Sequence, residues 1–244
     1  MLALGLLALT AILLVGLTLL RRRSPASLRL IEAYQRLNRS VGLAVENGTR
    51  LHISLGRGNF ISARGGSALA GLAMLRRLAE RTSLSDRPPI VTSGDASLAI
   101  LSQDTLQSGY RAAGAEDQYR FTTGRLAGLT PFSYAAGTLS TIHDENASAN
   151  IVIGDLGTES GLLAEAADRE DTNLIAASDD LSAQSVFFAS AQEPLIGEEL
   201  FAAGAYVGAG ASHEASLHVQ DILRWLIILA ILLGSLLKIV GAPI

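Results

Sequence analysis

Hydrophobic positions divide the chain into an apolar run at each end and an amphipathic middle. Residues 2–20 carry no charge, and a helix of this length, at about 1.5 Å per residue, crosses the hydrocarbon core of a bilayer. Residues 222–240 form a second apolar run, with Arg224 and Lys238 near its ends, where long side chains reach the headgroups. The pattern predicts a transmembrane helix at each end. Because the second run has a shorter uncharged centre, a buried or interfacial helix is its alternative.

Charges beside the first run decide between a secretion signal and an anchor. Arg21, Arg22 and Arg23 follow the apolar run, whereas a signal peptide carries positive charge before it and an Ala-x-Ala site after it. We therefore expect an uncleaved anchor. Because arginine excess marks the cytoplasmic flank of a span, we expect both termini outside and the protein in the inner membrane. The predicted segments are a transmembrane anchor at 1–23, a cytoplasmic α/β domain at 24–221 and a transmembrane helix at 222–244.

The middle of the chain alternates short β-type runs with amphipathic segments of ten or more residues, which is typical of an α/β fold. We expect a mostly parallel, Rossmann-like sheet flanked by helices. An amphipathic helix is predicted at 24–40, and the Asn47–Gly48 dipeptide between two apolar runs predicts a β-hairpin. Further strands are predicted at 88–94, 119–123, 148–157 and 172–178, and further helices at 68–81, 95–114, 130–146, 158–171, 179–192 and 197–208.

Charge is distributed unevenly along a chain whose net charge is −4. Residues 24–125 contain 13 arginines and 8 acidic residues, whereas residues 126–221 contain one arginine and 15 acidic residues. A nucleic-acid-binding domain concentrates basic residues on one face, so we expect no nucleic-acid partner. Either the two halves neutralise each other within one fold, or a basic edge of one subunit meets an acidic edge of the next.

Glycine-rich segments follow two of the predicted strands. Gly56 and Gly58 begin the sequence GRGNFISARGG, which lies between a strand and a helix, where phosphate-binding loops occur. Ile61 occupies the position of the third glycine of a dinucleotide fingerprint, and the segment lacks a P-loop ending. Gly154, Thr158 and Glu159 lie in a similar place. An alternative interpretation explains the polar residues fully: Thr158, like Asp95 at the start of the helix 95–114, is a helix N-cap, and Glu159 is a first-turn acid. Gly56, Gly58, Gly154, Thr158 and Glu159 are weak ligand-binding candidates.

Other patterns argue against catalysis. The chain has no cysteine, and its only lysine is Lys238, so thiolate ligands, disulfides and a Walker-type lysine in the middle are excluded. His143 lies beside two carboxylates, but adjacent helical residues point in different directions. There is no G-x-S-x-G nucleophile elbow. We therefore expect no metal, no other cofactor, no catalytic residue and no enzymatic activity.

Small residues dominate the segment 194–212, PLIGEELFAAGAYVGAGAS, which permits close helix packing. Its larger residues, Glu198, Glu199, Phe201 and Tyr206, are candidates for a subunit interface. An ordinary capped helix with glutamates in its first turn is the alternative interpretation.

Several blocks of sequence resemble an uncharacterised bacterial membrane-protein family, a domain of unknown function. They are IGEELFAAGAY, which has an IGEEL-x-AA-x-AY pattern, ANIVIGDLGTESGLLAEA, which contains a GDLGTES block, QSVFF and SQDTLQSGYRAAG. The resemblance covers most of residues 40–240. It implies a membrane protein with a cytoplasmic α/β body and assigns no reaction, cofactor or catalytic residue.

Two spans at the ends of one chain hold every copy in the same orientation, so copies associate about an axis along the membrane normal. With the uneven charge, this predicts a cyclic homo-oligomer formed by heterologous contacts. We therefore predict a membrane-anchored, non-enzymatic scaffold whose partners are the lipid bilayer and copies of itself. The alternatives are a small-ligand or nucleotide-binding domain, with or without hydrolytic activity, that uses the loops 56–66 and 154–160, or an accessory subunit of a membrane hetero-complex.

Overall fold

The computed structural model describes residues 2–24, 27–59, 61, 65–83 and 85–239. Its contacts divide the chain into two units. One unit combines residues 1–28 with residues 210–244, and the other consists of residues 29–209.

Six parallel strands form the sheet of the larger unit. They are β1 (Arg50–Ser54), β2 (Ile90–Ser93), β3 (Gly124–Leu126), β4 (Ala147–Gly154), β5 (Asn173–Ser178) and β6 (Glu193–Leu195). Their order across the sheet is β3-β2-β1-β4-β5-β6, and each neighbouring pair is parallel. The predicted parallel, Rossmann-like sheet is therefore confirmed. Strand order reverses between β1 and β4, which makes their carboxyl ends the switch point of the fold.

Helices cover both faces of this sheet. They are α2 (Glu32–Glu46), α3 (Gly65–Thr82), α4 (Ala96–Ala112), α5 (Pro131–Asp144), α6 (Ser160–Arg169), α7 (Leu181–Ser190) and α8 (Ala203–Tyr206). Short 3-10 helices occupy Glu116–Gln118, Phe121–Thr123 and Gly197–Ala202. Ile151 and Ile153 of β4 pack with α2, α3 and α4, whereas Val152 packs with α5, α6 and α7. This alternation follows from the two-residue period of a strand, and it explains why the strands are apolar on both faces.

The predicted hairpin at Asn47–Gly48 is wrong. Residues 41–46 continue α2, which buries Leu37, Val41 and Ala44 along one stripe. Gly48 has a φ of +62° and ends the helix, and the amide of Thr49 donates to the carbonyl of Ala44 at 2.9 Å, as in a glycine C-cap. A hairpin partner would also have no place, because β1 already pairs with β2 and β4.

Two edges of the sheet also differ from expectation. Residues 121–123 form a 3-10 turn, and the strand predicted at 119–123 begins only at Gly124. The strand β6 was not predicted, because Pro194 interrupts its sequence. Proline is tolerated there because β6 is an edge strand, whose outer side needs no ladder hydrogen bond.

The smaller unit consists of α1 (Leu2–Arg21) and α9 (Ala211–Ile239), which pack against each other. Both helices are long and apolar enough to cross a membrane, and their large apolar side chains are exposed. Arg21 Nη2 lies 2.9 Å from His218 Nε2, and His218 Nδ1 donates to the carbonyl of Glu214 at 3.0 Å. This contact sets the end of α1 opposite His218 of α9.

A buried polar side chain, His52, links the three central strands of the sheet. The His52 ring is fully buried, and its nitrogens lie 3.0 Å from Asn150 Oδ1 in β4 and 2.9 Å from Thr92 Oγ1 in β2. Asn150 in turn donates to Thr172, which donates to the carbonyl of Ala167 at 3.0 Å. Burial lowers the pKa of His52 to about 4, although the hydrogen bond to Asn150 acts in the opposite direction.

The shifted pKa of His52 predicts how stability depends on pH. The unfolded imidazole takes up its proton near pH 6.5 but the folded one only near pH 4, so the free energy of unfolding should fall as pH is lowered through this window. The substitution His52→Gln keeps a donor and an acceptor without a titrating ring. It should therefore reduce the dependence of the free energy of unfolding on pH in this window. Denaturant unfolding of the detergent-solubilised chain between about pH 4.5 and pH 7 measures the slope.

His143→Gln is the matched control for this slope. The exposed His143 ring is bonded to Glu170, which raises its pKa, so its protonation stabilises the folded state and produces no loss on acidification. An unchanged slope in His52→Gln would show that the buried ring is not the titrating group.

Candidate functional site

The switch point of the sheet brings the predicted ligand candidates together. Gly56 and Gly58 follow β1, whereas Gly154, Thr158 and Glu159 lie at the end of β4 and in the loop after it. In open α/β sheets, ligands bind in the crevice between such loops. Residues 60 and 62–64 of the first loop lie outside the described residues.

The glycines at the switch point allow two loops to approach each other closely. Gly154 has a φ of +143°, and a Cβ there would lie 2.2 Å from the carbonyl oxygen of Leu55. At Gly56, whose φ is +70°, a Cβ would lie 2.6 Å from the carbonyl oxygen of Asp155. The amide of Arg57 donates to that same oxygen at 2.9 Å. Backbone packing therefore explains these glycines without any ligand.

A buried ion pair also joins the two loops. Arg57 Nε lies 2.6 Å from Glu159 Oε1, and the Glu159 side chain is only 1% exposed. Burial raises the pKa of Glu159, but hydrogen bonds from the Gly157 backbone and from Arg57 outweigh it and lower the pKa overall. The carboxylate is therefore ionised at neutral pH. Breaking such a pair leaves an uncompensated buried charge, so the pair stabilises the loop conformation.

Of the two residues interpreted as helix N-caps, Asp95 and Thr158, only Asp95 caps a helix. Asp95 caps α4, since its carboxylate accepts from the amides of Ser97 at 2.9 Å and Leu98 at 3.1 Å. Thr158, by contrast, does not cap α6; Glu159 occupies the cap position, without a side-chain capping bond. Its carboxylate is directed to Arg57 instead.

Acidic side chains dominate this edge of the sheet. Asp95 follows β2, Asp155 follows β4, and Asp179 and Asp180 follow β5. The nearby Arg57 is already paired with Glu159. The balance of charge therefore disfavours a phosphate ligand here. Within the described ranges, no three His, Cys, Asp or Glu side chains are grouped so that they could hold a metal ion.

The predicted interface residues lie around the beginning of α2. Glu199 pairs with Arg29 at 2.8 Å, and the hydroxyl of Tyr34 donates to the carbonyl of Glu199 at 2.6 Å. The rings of Tyr34 and Tyr206 stack with centroids 4.7 Å apart. Glu198 and Phe201 are exposed. Contacts within the chain therefore account for two of the four candidates, Glu199 and Tyr206.

Ion pairs within the chain connect its basic and acidic halves. These pairs are Arg29–Glu199, Arg36–Glu193, Arg50–Glu145, Arg57–Glu159 and Arg125–Glu145. Each joins an arginine from 24–125 to an acid from 126–221. The first interpretation of the uneven charge, neutralisation within one fold, therefore accounts for these residues.

Exposed apolar side chains at the two edges of the sheet were not singled out from the sequence. Phe121 and Phe132, which flank β3 in the chain, are 71% and 73% exposed. Leu181 and Phe188, one face of α7, are 79% and 74% exposed. The available signal was the pair Phe187–Phe188, since only one of two adjacent helical residues can face the core; Phe187 is the buried one.

A family model described as a domain of unknown function, DUF6754, matches residues 1–244. The chain belongs to this family. The resemblance to an uncharacterised family is thereby confirmed, and the family's description assigns no activity. Neither a curated protein nor a solved structure matches the chain.

The geometry of the switch point predicts different effects of alanine at two glycines. Gly154→Ala should lower the free energy of unfolding by about 3 kcal/mol, because its φ and the contact with Leu55 both exclude a side chain. Gly161→Ala is the control: it lies in α6 with no atom near its added Cβ, and should raise stability by about 0.5 kcal/mol. Denaturant unfolding measures both values. Equal stability of the two variants would contradict the packing role of Gly154.

Proposed function

We propose that this protein is a two-pass membrane subunit whose α/β domain lies in the cytoplasm and joins copies of itself side by side, without catalysing a reaction. The observation that supports it best is the presence of exposed aromatic residues at both edges of the sheet in a chain with an apolar helix at each end.

The pairing of α1 and α9 supports the two spans. The Arg21–His218 contact sets α1, which is 20 residues long, beside the part of α9 that follows His218. Both segments are then about 30 Å long, the thickness of the hydrocarbon core. Asp221 and Arg224, which approach to 3.5 Å, come within the first turns of this segment, where their polar ends reach the headgroups.

The orientation follows from basic residues at the domain side of both helices. Arg21 ends the first helix, and Arg22 and Arg23 follow it. Arg224 lies near the domain end of the second segment, whereas Lys238 lies at the far end. This excess favours a cytoplasmic α/β domain with both termini outside.

The cysteine-free sequence allows a direct test of this orientation. Ala113→Cys, exposed after α4, should resist a membrane-impermeant maleimide in intact cells and react after permeabilisation. Ala242→Cys, in the C-terminal segment, should react in intact cells. Gel-shift assays of maleimide adducts measure both. Labelling of Ala113→Cys from outside would reverse the proposed topology.

Assembly is supported by two apolar patches at opposite edges of the sheet. The β3-edge patch consists of Phe121, Leu129 and Phe132, and the α7 patch consists of Leu181 and Phe188. Burying one such side chain contributes about 1.5–3 kcal/mol. In a heterologous contact, the β3-edge patch of one copy packs against the α7 patch of the next. Such heterologous contacts close into rings when the rotation permits.

Charge has a smaller part in this assembly than the sequence indicated. The acid Glu199 and the arginine Arg29 already pair with each other, and exposed ion pairs contribute only about 0–1 kcal/mol each. Apolar area therefore supplies the affinity, while the remaining charges select the register of neighbouring copies.

Variants of the two patches test both the assembly and its type of contact. Replacing Phe121 and Phe132 with serine, or Leu181 and Phe188 with serine, should each yield a monomer in mild detergent, since every heterologous contact needs both patches. An equimolar mixture of the two variants should form a 1:1 dimer, because one intact patch of each kind remains. Light scattering or native mass spectrometry measures the masses.

Leu43→Ser is the control, since Leu43 is exposed on α2 and lies in neither patch; it should leave the mass unchanged. A monodisperse wild-type monomer would contradict self-association. If only one of the two patch variants is monomeric, the contact is isologous through that patch; if both variants remain oligomeric alone, the copies associate through another surface.

A further inference from the structure

A polar pocket of about 540 Å³ lies at the opposite end of the strands from the glycine loops. Arg50 and Ile90, the first residues of β1 and β2, form part of its wall. The remaining wall comes from the loop before β2, from Tyr110 of α4 and from residues 117–125. The volume falls within the range of small-molecule sites, about 300–1,000 Å³.

Three side chains of this wall have buried polar atoms without a partner among the described residues. They are Tyr110 through its hydroxyl, Ser85 through its hydroxyl and Arg50 through Nε. Tyr110 is 2% exposed and Ser85 is 8% exposed. Buried polar groups are almost always hydrogen-bonded, since an unpaired one costs about 1–3 kcal/mol. The cluster therefore indicates a polar occupant that completes these bonds.

The charged side chains of the wall indicate which charged and polar groups the occupant has. Arg50 and Arg125 both pair with the carboxylate of Glu145, and Arg125 Nη2 lies 2.7 Å from Glu145 Oε1. Arg120 forms no ion pair with any described residue, and its guanidinium is available to an anion. Asp86 and Asp117 also line the pocket. The wall thus combines an uncommitted cation and buried donors with two carboxylates.

We propose that this pocket binds a phosphate monoester carried on a small hydroxylated molecule. The phosphate oxygens accept from Arg120, from Nε of Arg50 and from the Tyr110 and Ser85 hydroxyls, since phosphate oxygens accept several charge-assisted hydrogen bonds. Hydroxyl groups of the carrier donate to Asp86 and Asp117. A purely apolar ligand would leave all of these groups unpaired.

Burial strengthens the donor role of Tyr110. It raises the pKa of the phenol to about 12, although the charge of Arg50 acts in the opposite direction. The hydroxyl therefore keeps its proton at neutral pH and donates to an anion. This site does not depend on the proposed assembly, because all of its lining residues come from one chain.

The same chemistry, a phosphate monoester beside a free hydroxyl, is offered by a soluble sugar phosphate and by the headgroup of phosphatidylglycerol phosphate. The full-length protein in phosphatidylcholine nanodiscs is titrated with glucose 6-phosphate, inorganic phosphate and glucose by isothermal calorimetry. Glucose 6-phosphate should bind more tightly than either of the other two. Nanodiscs containing phosphatidylglycerol phosphate identify the source: weakened binding of glucose 6-phosphate indicates the headgroup, and unchanged binding indicates a soluble ligand.

Two variants tie the binding to this pocket. Tyr110→Phe and Arg120→Gln should each weaken glucose 6-phosphate binding about tenfold or more, the effect of losing a hydrogen bond to a charged group. Arg169→Gln, an exposed arginine on α6 that pairs with Glu165, is the control and should bind like the wild type. Without ligand, Tyr110→Phe should melt no lower than the wild type, because the Tyr110 hydroxyl has no hydrogen-bond partner among the described residues.

Three results would overturn the proposal. One is the absence of heat with glucose 6-phosphate at millimolar concentration in both kinds of nanodisc. Another is binding that Arg120→Gln leaves unchanged, which would place the anion elsewhere. The third is equal affinity for glucose 6-phosphate and inorganic phosphate, which would show that no hydroxylated carrier is recognised.

Discussion

The structure of the larger unit depends on the burial of its parallel sheet on both faces. A parallel sheet requires crossover helices, and these cover the strands and exclude water from every polar group between them. The few polar side chains of the central strands must then satisfy one another. His52, Asn150 and Thr92 do so across β1, β4 and β2, and this requirement fixes the register in which these strands align.

The reversal of strand order at β1 and β4 creates the crevice in which proteins of this architecture often bind ligands. In this chain the two loops beside the crevice also contact each other directly. Gly56 and Gly154 bring the two loops into backbone contact, and the Arg57–Glu159 pair holds them together. Fold alone does not determine function, and three buried polar atoms without a partner among the described residues, those of Arg50, Ser85 and Tyr110, lie together at the other end of the strands.

In the function that we propose, membrane anchorage and assembly are connected by geometry. An apolar helix at each end of the chain fixes the orientation of a domain when both helices span the bilayer, and identical orientation leaves only side-by-side contacts between copies. Exposed aromatic residues at the two edges of the sheet, such as Phe132 and Phe188, suit such contacts. The uneven distribution of charge does not by itself require a second copy, because ion pairs such as Arg36–Glu193 form within one chain.

Periodicity in the sequence was sufficient to predict the class of fold, the helix α4 with its Asp95 cap, and the apolar helices at both ends. These features depend on local patterns and on contacts between near neighbours. The ambiguous segments needed the tertiary structure. Asn47–Gly48 is compatible with both a hairpin and a helix C-cap. The pairing of β1 with β2 on one side and β4 on the other leaves no place for a hairpin partner, so the segment forms the cap. The glycine motif at 56–58 suits both a phosphate loop and a close loop contact, and the contact with Asp155, about 100 residues away in sequence, is visible only in the tertiary structure. The pocket around Tyr110 had no sequence signal, because its residues come from separated segments that meet only when the strands align.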